Sequence, residues 1–344
     1  MRLLLASVLA LFAAACSGPE TTGAPADGAG EVNLYTARHY DSDQALYDRF
    51  TQLTGIRVNV LDGNADQLIA RLQSEGARSP ADVFITADAG TLWRAQQAGL
   101  FQPATSAQLD RLPANLREPA GNWYPFARRA RIVAYNPDRV RADEVDTYEE
   151  LAGPRFRGRL CVRSSDNIYN LSLMGALIEA WGEPRALDWA RGIVANMARP
   201  PEGGDRDQIR AVAAGVCDVA ITNSYYFIRM ENGEDANDRA IASRLRLAFP
   251  SLNGQGTHVN ISGGGVLANA PNKANAVRLL EFFASPEAQQ HIARHNNEFP
   301  ASPDVSAPAP VDRYASFTAN PMPVAAFAAR QPRAQALMSE AGWR

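Results

Sequence analysis

Four tyrosines come directly after predicted β-strands, where an α/β protein places the residues that bind its ligand. Tyr225 and Tyr226 follow an apolar, β-branched run and precede a segment that can begin a helix. Tyr40 and Tyr169 come shortly after two other predicted strands. The carboxyl ends of the strands in an open α/β sheet form the edge at which ligands bind. The four phenols are therefore predicted to face one cleft, although for the adjacent pair alone the simpler interpretation is one core and one surface tyrosine.

Converging phenols can bind a hard, highly charged metal ion such as Fe(III). A free phenol has a pKa of about 10, but a metal ion at bonding distance removes the proton. Four phenolates around one Fe(III) carry a formal charge of about −1, so a nearby cation should stabilise the site. His39 offers a neutral nitrogen donor beside Tyr40. The candidates for the cation are Arg38, Arg128, Arg129 and Arg229.

The elements that must position these residues form two successive α/β units. Strands are predicted over 32–35, 56–61 and 82–86, each followed by a helix with apolar residues on one face. This alternation predicts a parallel sheet with right-handed crossovers. A second unit begins near residue 135 and includes the strand that leads into Tyr225.

The two units predict an α/β fold of two lobes with a ligand cleft between them. We expect lobe 1 to comprise 31–130 and 258–311, and lobe 2 to comprise 131–257 and 312–344. Extended segments near 128–136 and 255–262 would then cross between the lobes as a two-strand hinge, and hinge closure would enclose a small ligand. The glycine run 263–265 favours a turn or a hinge between two strands, although such a run can also bind an anion.

The first 16 residues are predicted to be a processing signal. The run from Leu3 to Ala14 is apolar but too short to span a bilayer, and small residues precede Cys16. This pattern favours a lipoprotein signal in which Cys16 is lipidated, and the alternative is a secretory peptide cut near Ala15. Residues 17–30 are rich in Gly, Ala, Pro and Thr and predict a flexible tether. We expect a periplasmic or cell-surface protein held at a membrane by its lipid.

Charge and cysteine usage fit an exported protein. The formal net charge of −3 gives no basic field for nucleic acid. After Cys16 is set aside, Cys161 and Cys217 remain, and an even pair in an oxidising compartment predicts a disulfide, with two buried free thiols as the alternative.

The tyrosine pattern and several neighbouring motifs resemble one protein family. The chain resembles the periplasmic ferric-iron-binding proteins of ABC importers, which have the type II binding-protein fold, over essentially 31–344. The residues that carry the resemblance lie at 34–40, 79–83, 88–94, 163–170 and 223–226.

The resemblance implies a set of ligands and partners. Fe(III) would be bound as tyrosinates by Tyr40, Tyr169, Tyr225 and Tyr226, with His39 as a fifth ligand. The partner would be an inner-membrane ABC permease, and we expect a monomer without enzymatic activity. Some relatives use a carboxylate and a bound synergistic anion; no carboxylate is evident at the matching place in this sequence, so the anion stays open.

Two functions other than iron transport are alternatives for this sequence. The same fold could bind an oxyanion or an organic cation, with the tyrosines as a cage. An exported hydrolase lacks support because neither a Gly-x-Ser-x-Gly elbow nor a Cys-His arrangement is present in the sequence. His291 and His295 have a spacing that zinc sites use, but an exposed helix face is the better interpretation. The remaining tyrosines are predicted to serve packing: 35, 47, 124, 135, 148 and 314.

Overall fold

Strands and helices alternate through most of the chain, as the apolar periodicity predicts. The computed structural model describes residues 30–344, so the predicted signal, the predicted lipidation site Cys16 and most of the predicted tether lie outside the described residues. The strands are β1 (Glu31–Thr36), β2 (Arg57–Asp62), β3 (Val83–Thr86), β4 (Tyr124–Tyr135), β5 (Leu160–Cys161), β6 (Val219–Asn223), β7 (Arg246–Ala248), β8 (Val259–Val266) and β9 (Phe299–Pro300). The α-helices are α1 (Asp43–Thr54), α2 (Ala65–Glu75), α3 (Ala89–Gln97), α4 (Ile168–Trp181), α5 (Glu183–Asn196), α6 (Asp205–Ala213), α7 (Ser224–Asn232), α8 (Ala236–Ser243), α9 (Lys273–Ala284), α10 (Pro286–Asn296), α11 (Val324–Ala329) and α12 (Gln331–Glu340).

The first sheet is parallel where the β-α-β pattern predicted it. β1 pairs in parallel with β2 on one side and with β3 on the other. Alternate residues of each strand enter different cores: Leu34 and Ile85 pack in one hydrophobic cluster, whereas their neighbours Tyr35 and Phe84 pack in the other. The sheet is therefore covered by apolar side chains on both faces, and its carboxyl edge is left for the ligand.

The long strand β4 runs from one half of the molecule into the other. Its residues up to Ala130 pair with β8, and from Arg131 onward they pair with β6. The overall strand order is β2-β1-β3-β8-β4-β6-β5, with β7 and β9 paired to β4. The change of partner supports our proposed lobe boundary between residues 130 and 131.

The C-terminal helices pack on the second half of the molecule. α12 lies against α4 and α5, and α11 lies between α4 and α3. The close approach of α11 requires a glycine on α4, because a Cβ at Gly175 would lie 2.5 Å from the carbonyl oxygen of Phe327. The contacts of α12 support the proposal that this helix belongs to lobe 2, whereas α11 contacts both lobes.

The glycine run 263–265 lies inside β8, so the prediction of a turn or hinge was wrong. Gly263, Gly264 and Gly265 pair with residues of β3, and β8 continues through them to Val266. The physical reason is close packing of the backbone. A Cβ at Gly265 would lie 2.0 Å from the carbonyl oxygen of Asn122, and one at Gly264 would lie 2.7 Å from that of Phe84.

The predicted disulfide is present in the structure. Cys161 at the end of β5 is bonded to Cys217, which precedes β6, across a separation of 56 residues. The bond links β5 to the start of β6, its parallel neighbour in lobe 2. Within residues 30–344, every helix is too short or too polar to cross a bilayer.

Candidate metal site

Tyr40 lies in the turn that joins β1 to α1. Its hydroxyl donates a hydrogen bond to Oε1 of Glu298 at 3.0 Å, and the guanidinium of Arg38 lies 4.9 Å from the centre of its ring. Arg38 is itself held by Asp43 in the first turn of α1, at 2.9 Å. Arg38 from the same turn and Glu298 from a distant part of the chain therefore fix the phenol from two sides.

The other three tyrosines lie at the N-termini of two helices of lobe 2. Tyr169 is in the first turn of α4, which Asn167 caps through the backbone N–H of Tyr169 at 3.1 Å. Tyr225 and Tyr226 are in the first turn of α7, directly after β6. The hydroxyls of Tyr169 and Tyr225 are 2.9 Å apart, and the rings of Tyr225 and Tyr226 are 4.1 Å apart.

All four tyrosines line one cavity of about 360 Å³ between the two halves of the molecule. Tyr40 enters it from lobe 1, and the other three enter it from lobe 2. Two adjacent tyrosines of one helix thus share this site, which the simpler core-and-surface interpretation of the pair did not predict. Chemically, the cavity offers four oxygen donors that become anionic when a metal ion displaces their protons.

Burial keeps Tyr40, Tyr169 and Tyr225 protonated in the absence of a metal ion. Burial raises the pKa of Tyr40 well above its ordinary value, and the adjacent Glu298 carboxylate raises it further. Burial likewise raises the pKa of Tyr225 and of Tyr169. Because phenols bind a metal ion as phenolates, metal binding at these tyrosines would release protons and would be favoured by higher pH.

Glu298 is a buried carboxylate of the site that the sequence analysis missed. It follows α10, is fully buried, and accepts hydrogen bonds from Arg129 at 2.8 Å and Ser262 at 2.8 Å. Burial raises the pKa of this carboxyl, but the charges of Arg129 and Arg38 outweigh it and the net shift is downward. It meets Tyr40 across 258 residues of sequence, so no local motif could have identified it.

Three of the four predicted cations lie at the site. Arg38 and Arg129 are buried and both face Glu298, and the guanidinium of Arg229 lies 5.6 Å from the centre of the Tyr40 ring. Arg128 does not lie there, and its prediction as a charge partner was wrong. Neighbouring side chains of a strand point to opposite faces, so Arg128 instead contacts the carbonyl of Pro300 and the ring of Phe317.

His39 lies at the rim of the cavity rather than among the phenols. Its side chain is 59% exposed, and Nδ1 is 3.0 Å from a carboxylate oxygen of Asp62. His39 nevertheless lines the same cavity as the four tyrosines.

The His291 and His295 pair does not form a metal site of the usual composition. His291 donates from Nε2 to the carbonyl of Ser42 at 2.9 Å, and His295 is exposed. Over residues 30–344, no group of three or more His, Cys, Asp and Glu side chains is arranged to hold an ion.

The sequence of this chain matches a known protein family. The family model for the bacterial extracellular solute-binding proteins matches residues 78–320, more than half of the chain. The chain belongs to this family. Its two-lobe architecture is that of the periplasmic binding proteins, as the sequence predicted.

Several relatives of this solute-binding protein carry names that refer to iron. Iron uptake protein A2 of Synechocystis sp. is 48% identical over 316 residues, which cover 91% of this chain and 90% of the relative. The structure of the Trichodesmium protein IdiA (FutA) in complex with iron and citrate ligands has a TM-score of 0.88 at 49% identity, covering 92% of this chain and all of that one. The ferric binding protein from Campylobacter jejuni has a TM-score of 0.85 at 37% identity, covering 91% of this chain and all of that one.

Proposed function

We propose that this solute-binding protein carries Fe(III) through Tyr40, Tyr169, Tyr225 and Tyr226 and delivers it to an inner-membrane ABC permease. The observation that carries the proposal is the convergence of four tyrosines, from both lobes, on one cavity. Phenolate is a hard, charged donor, and four such donors match a hard trivalent ion better than an organic solute. The names of the relatives support the same ion.

The charges around the cavity fit an iron site of this kind. Four phenolates and one Fe(III) leave a formal charge of about −1, and Arg38, Arg129 and Arg229 lie around Tyr40, where Glu298 offsets part of their charge. Arg38 is also paired with Asp43, so the surplus is small. We propose that these arginines stabilise the phenolates without binding the metal.

Iron binding would favour closure of the two lobes. Tyr169, Tyr225 and Tyr226 are already in contact with one another on lobe 2, whereas Tyr40 is held by Glu298 on lobe 1. An ion bound by the lobe 2 set gains its fourth phenolate only when lobe 1 is close. The ion thus stabilises the closed state relative to the open state, because all donors are within reach only there.

The remaining coordination positions are open to His39 or to a small anion. His39 lines the cavity but is paired with Asp62, so it would have to change partner to bind the ion. An anion finds favourable surroundings, because the N-termini of α2, α3, α4 and α7 all contribute residues to the cavity wall. The citrate named in the Trichodesmium complex is one anion of this kind.

The location and the partners of the protein are part of the proposal. A periplasmic protein with a lipid on Cys16 would stay near the membrane that holds its permease, and residues 17–30 would give it reach. We propose that it acts as a monomer and that it has no enzymatic activity.

A visible spectrum tests the proposed function. Purified protein should develop a tyrosinate-to-iron charge-transfer band when ferric citrate is added, and metal analysis should find one iron per chain. The Tyr225→Phe and Tyr226→Phe variants should lose the band while their far-ultraviolet circular dichroism stays that of the wild type. A colourless wild type that instead binds an oxyanion or an organic cation would overturn the iron assignment.

A further inference from the structure

We infer that Arg131 is a positioning residue that holds the three lobe 2 tyrosines in their binding geometry; this inference rests on the proposed function. Arg131 lies on β4 at the first position that pairs with lobe 2. Its side chain is 2% exposed, and all of its hydrogen bonds go to residues next to the tyrosines or to the acid that supports them. It does not reach the cavity itself, so its effect must act through other residues.

One arm of the Arg131 guanidinium holds the N-terminus of α4. Nη2 donates to Oδ1 of Asn170 at 2.7 Å. The amide of Asn170 in turn donates to the carbonyls of Arg163 and Ser164, at 3.0 and 2.9 Å, in the loop that leads into the helix. Tyr169 is the neighbour of Asn170, and the guanidinium carbon of Arg131 lies 5.9 Å from the centre of its ring.

The other arm holds the N-terminus of α7. Nη1 of Arg131 donates to Oδ1 of Asn223 at 3.1 Å and to Oδ2 of Asp205 at 2.9 Å. The same Asp205 oxygen accepts the backbone N–H of Asn223 at 2.8 Å. Asn223 is the last residue of β6 and is followed by Ser224 and Tyr225, so its position sets where α7 begins.

One guanidinium therefore links the two helices that carry three of the four phenols. Its charge is paired with Asp205, which is fully buried and which Arg163 also approaches at 3.7 Å. Its planar fork supplies donors in fixed directions to both arms at once. A lysine at the same position carries a single charged nitrogen on a side chain of different length, so it cannot maintain this geometry.

Two positions earlier, β4 carries another arginine, Arg129, which acts in lobe 1. Arg129 and Arg131 lie on one face of β4 on either side of the lobe boundary. Arg129 binds Glu298, which holds Tyr40, just as Arg131 binds the residues that hold the lobe 2 tyrosines. β4 thus positions the tyrosines of both lobes with two arginines on one face, one for each lobe.

The test compares iron release from wild-type protein, Arg131→Lys and Arg159→Lys. The control residue Arg159 also pairs with a largely buried aspartate of lobe 2, Asp218, but it contacts neither α4 nor α7 through that pair. The iron-loaded proteins are mixed with excess EDTA, and the decay of the charge-transfer band is followed. Arg131→Lys should release iron about 10–100-fold faster than wild type, with a shifted band maximum, whereas Arg159→Lys should keep the wild-type rate and maximum.

A second variant covers the case in which Arg131→Lys does not fold. Asn170→Ala removes only the α4 arm and leaves the Arg131–Asp205 pair in place, and it should also release iron faster with a shifted band. Wild-type rates and band maxima in every variant that folds would overturn the inference while leaving the proposed function intact. Absence of the band from the wild type would overturn the proposed function and this inference together.

Discussion

At the scale of single residues, the site depends on how each lobe holds its own phenols. Tyr40 is fixed by a buried carboxylate and a buried arginine, whereas Tyr169 and Tyr225 hold each other through their hydroxyls. Both arrangements keep the phenols close together and protonated, because burial disfavours the phenolate. A metal ion changes that balance by supplying the positive charge that the buried oxygens lack.

Removing the Glu298 charge separates its two effects. In Glu298→Gln, Arg129 loses its carboxylate partner in a buried position, so the metal-free protein should lose about 3–5 kcal/mol of unfolding free energy. The same change removes a charge that raises the pKa of Tyr40, so Tyr40 should ionise more readily. Iron binding should therefore begin at lower pH than in the wild type.

Urea unfolding of the metal-free protein and a pH titration of the charge-transfer band measure these two effects. A binding midpoint that stays at the wild-type pH or moves upward would contradict the role assigned to Glu298. Glu287→Gln, on the exposed face of α10, is the matched control and should change neither quantity.

Two arginines of the predicted set should differ in their effect on the affinity for Fe(III). Arg229 lies over the Tyr40 ring, so Arg229→Gln should weaken Fe(III) binding by about tenfold. Arg128 contacts Phe317 on the other face of β4, so Arg128→Gln should leave the affinity unchanged. Competition with citrate, followed at the charge-transfer band, measures both. Equal losses in the two variants would show that net charge rather than position governs the site.

The residues of the candidate site could be predicted where their position follows from the order of strands and helices in the sequence. They could not be predicted where their position depends on tertiary packing. The four tyrosines could be identified because each follows a strand, and strand ends share one edge of a sheet. The choice between Arg128 and Arg129 depends on which face of β4 meets the cleft, and both are compatible with a strand. Glu298 joins Tyr40 only after the chain has folded back from the far end of lobe 1.

At the scale of elements, β8 and β4 connect the site to the rest of the fold. β8 was predicted as two strands around a turn because three glycines in a row ordinarily break a strand. In the structure these glycines allow β8 to pack closely against neighbouring backbone carbonyls. The glycine run alone does not indicate this packing. The sequence predicts the first three strands and a helix after each, as the structure has them, but not α8, α11, β7 or β9, because each of these is short.

A side chain in the glycine run should destabilise the protein. Gly265→Ala places a Cβ 2.0 Å from the carbonyl oxygen of Asn122 and 2.9 Å from the ring of Phe101, so the strand must shift. We expect a loss of about 3 kcal/mol of unfolding free energy by urea denaturation. Gly204→Ala, whose Cβ would meet only Asp207 at 3.7 Å, should lose far less. Equal stabilities of the two variants would mean that β8 does not pack as described.

Buried His258 should make the metal-free protein sensitive to acid. It lies where the chain crosses into β8, with Nε2 2.8 Å from the hydroxyl of Ser172, and burial lowers its pKa to about 3. The unfolded chain binds this proton below a pH of about 6.5 and the folded chain does not, so stability falls as pH falls below that value. Between pH 7 and pH 5 the histidine should cost about 2 kcal/mol.

Denaturation at the two pH values checks this expectation. The stability of the non-titrating variant His258→Gln should fall less than that of the wild type between pH 7 and pH 5, by about 2 kcal/mol. His295→Gln, on the exposed face of α10, should follow the wild type. An identical fall in His258→Gln would show that His258 is not buried in its neutral form.

At the scale of the whole molecule, the fold places Tyr40 in lobe 1 and the other three tyrosines in lobe 2, and all four line one cavity. β4 changes sheet partner between residues 130 and 131, and it carries one buried arginine on each side of that point. A rotation there would move Tyr40 and its supports with lobe 1 and the three other tyrosines with lobe 2. Iron binding, closure of the lobes and presentation of the iron to a permease would then all depend on this rotation.

The absorption spectrum of the purified wild-type protein during titration with ferric citrate tests this account most directly. We expect a visible charge-transfer band that saturates at one iron per chain and is lost from Tyr40→Phe in lobe 1 as well as from Tyr225→Phe in lobe 2. A wild-type protein that stays colourless, or a band that survives both substitutions unchanged, would contradict an iron site shared between the lobes.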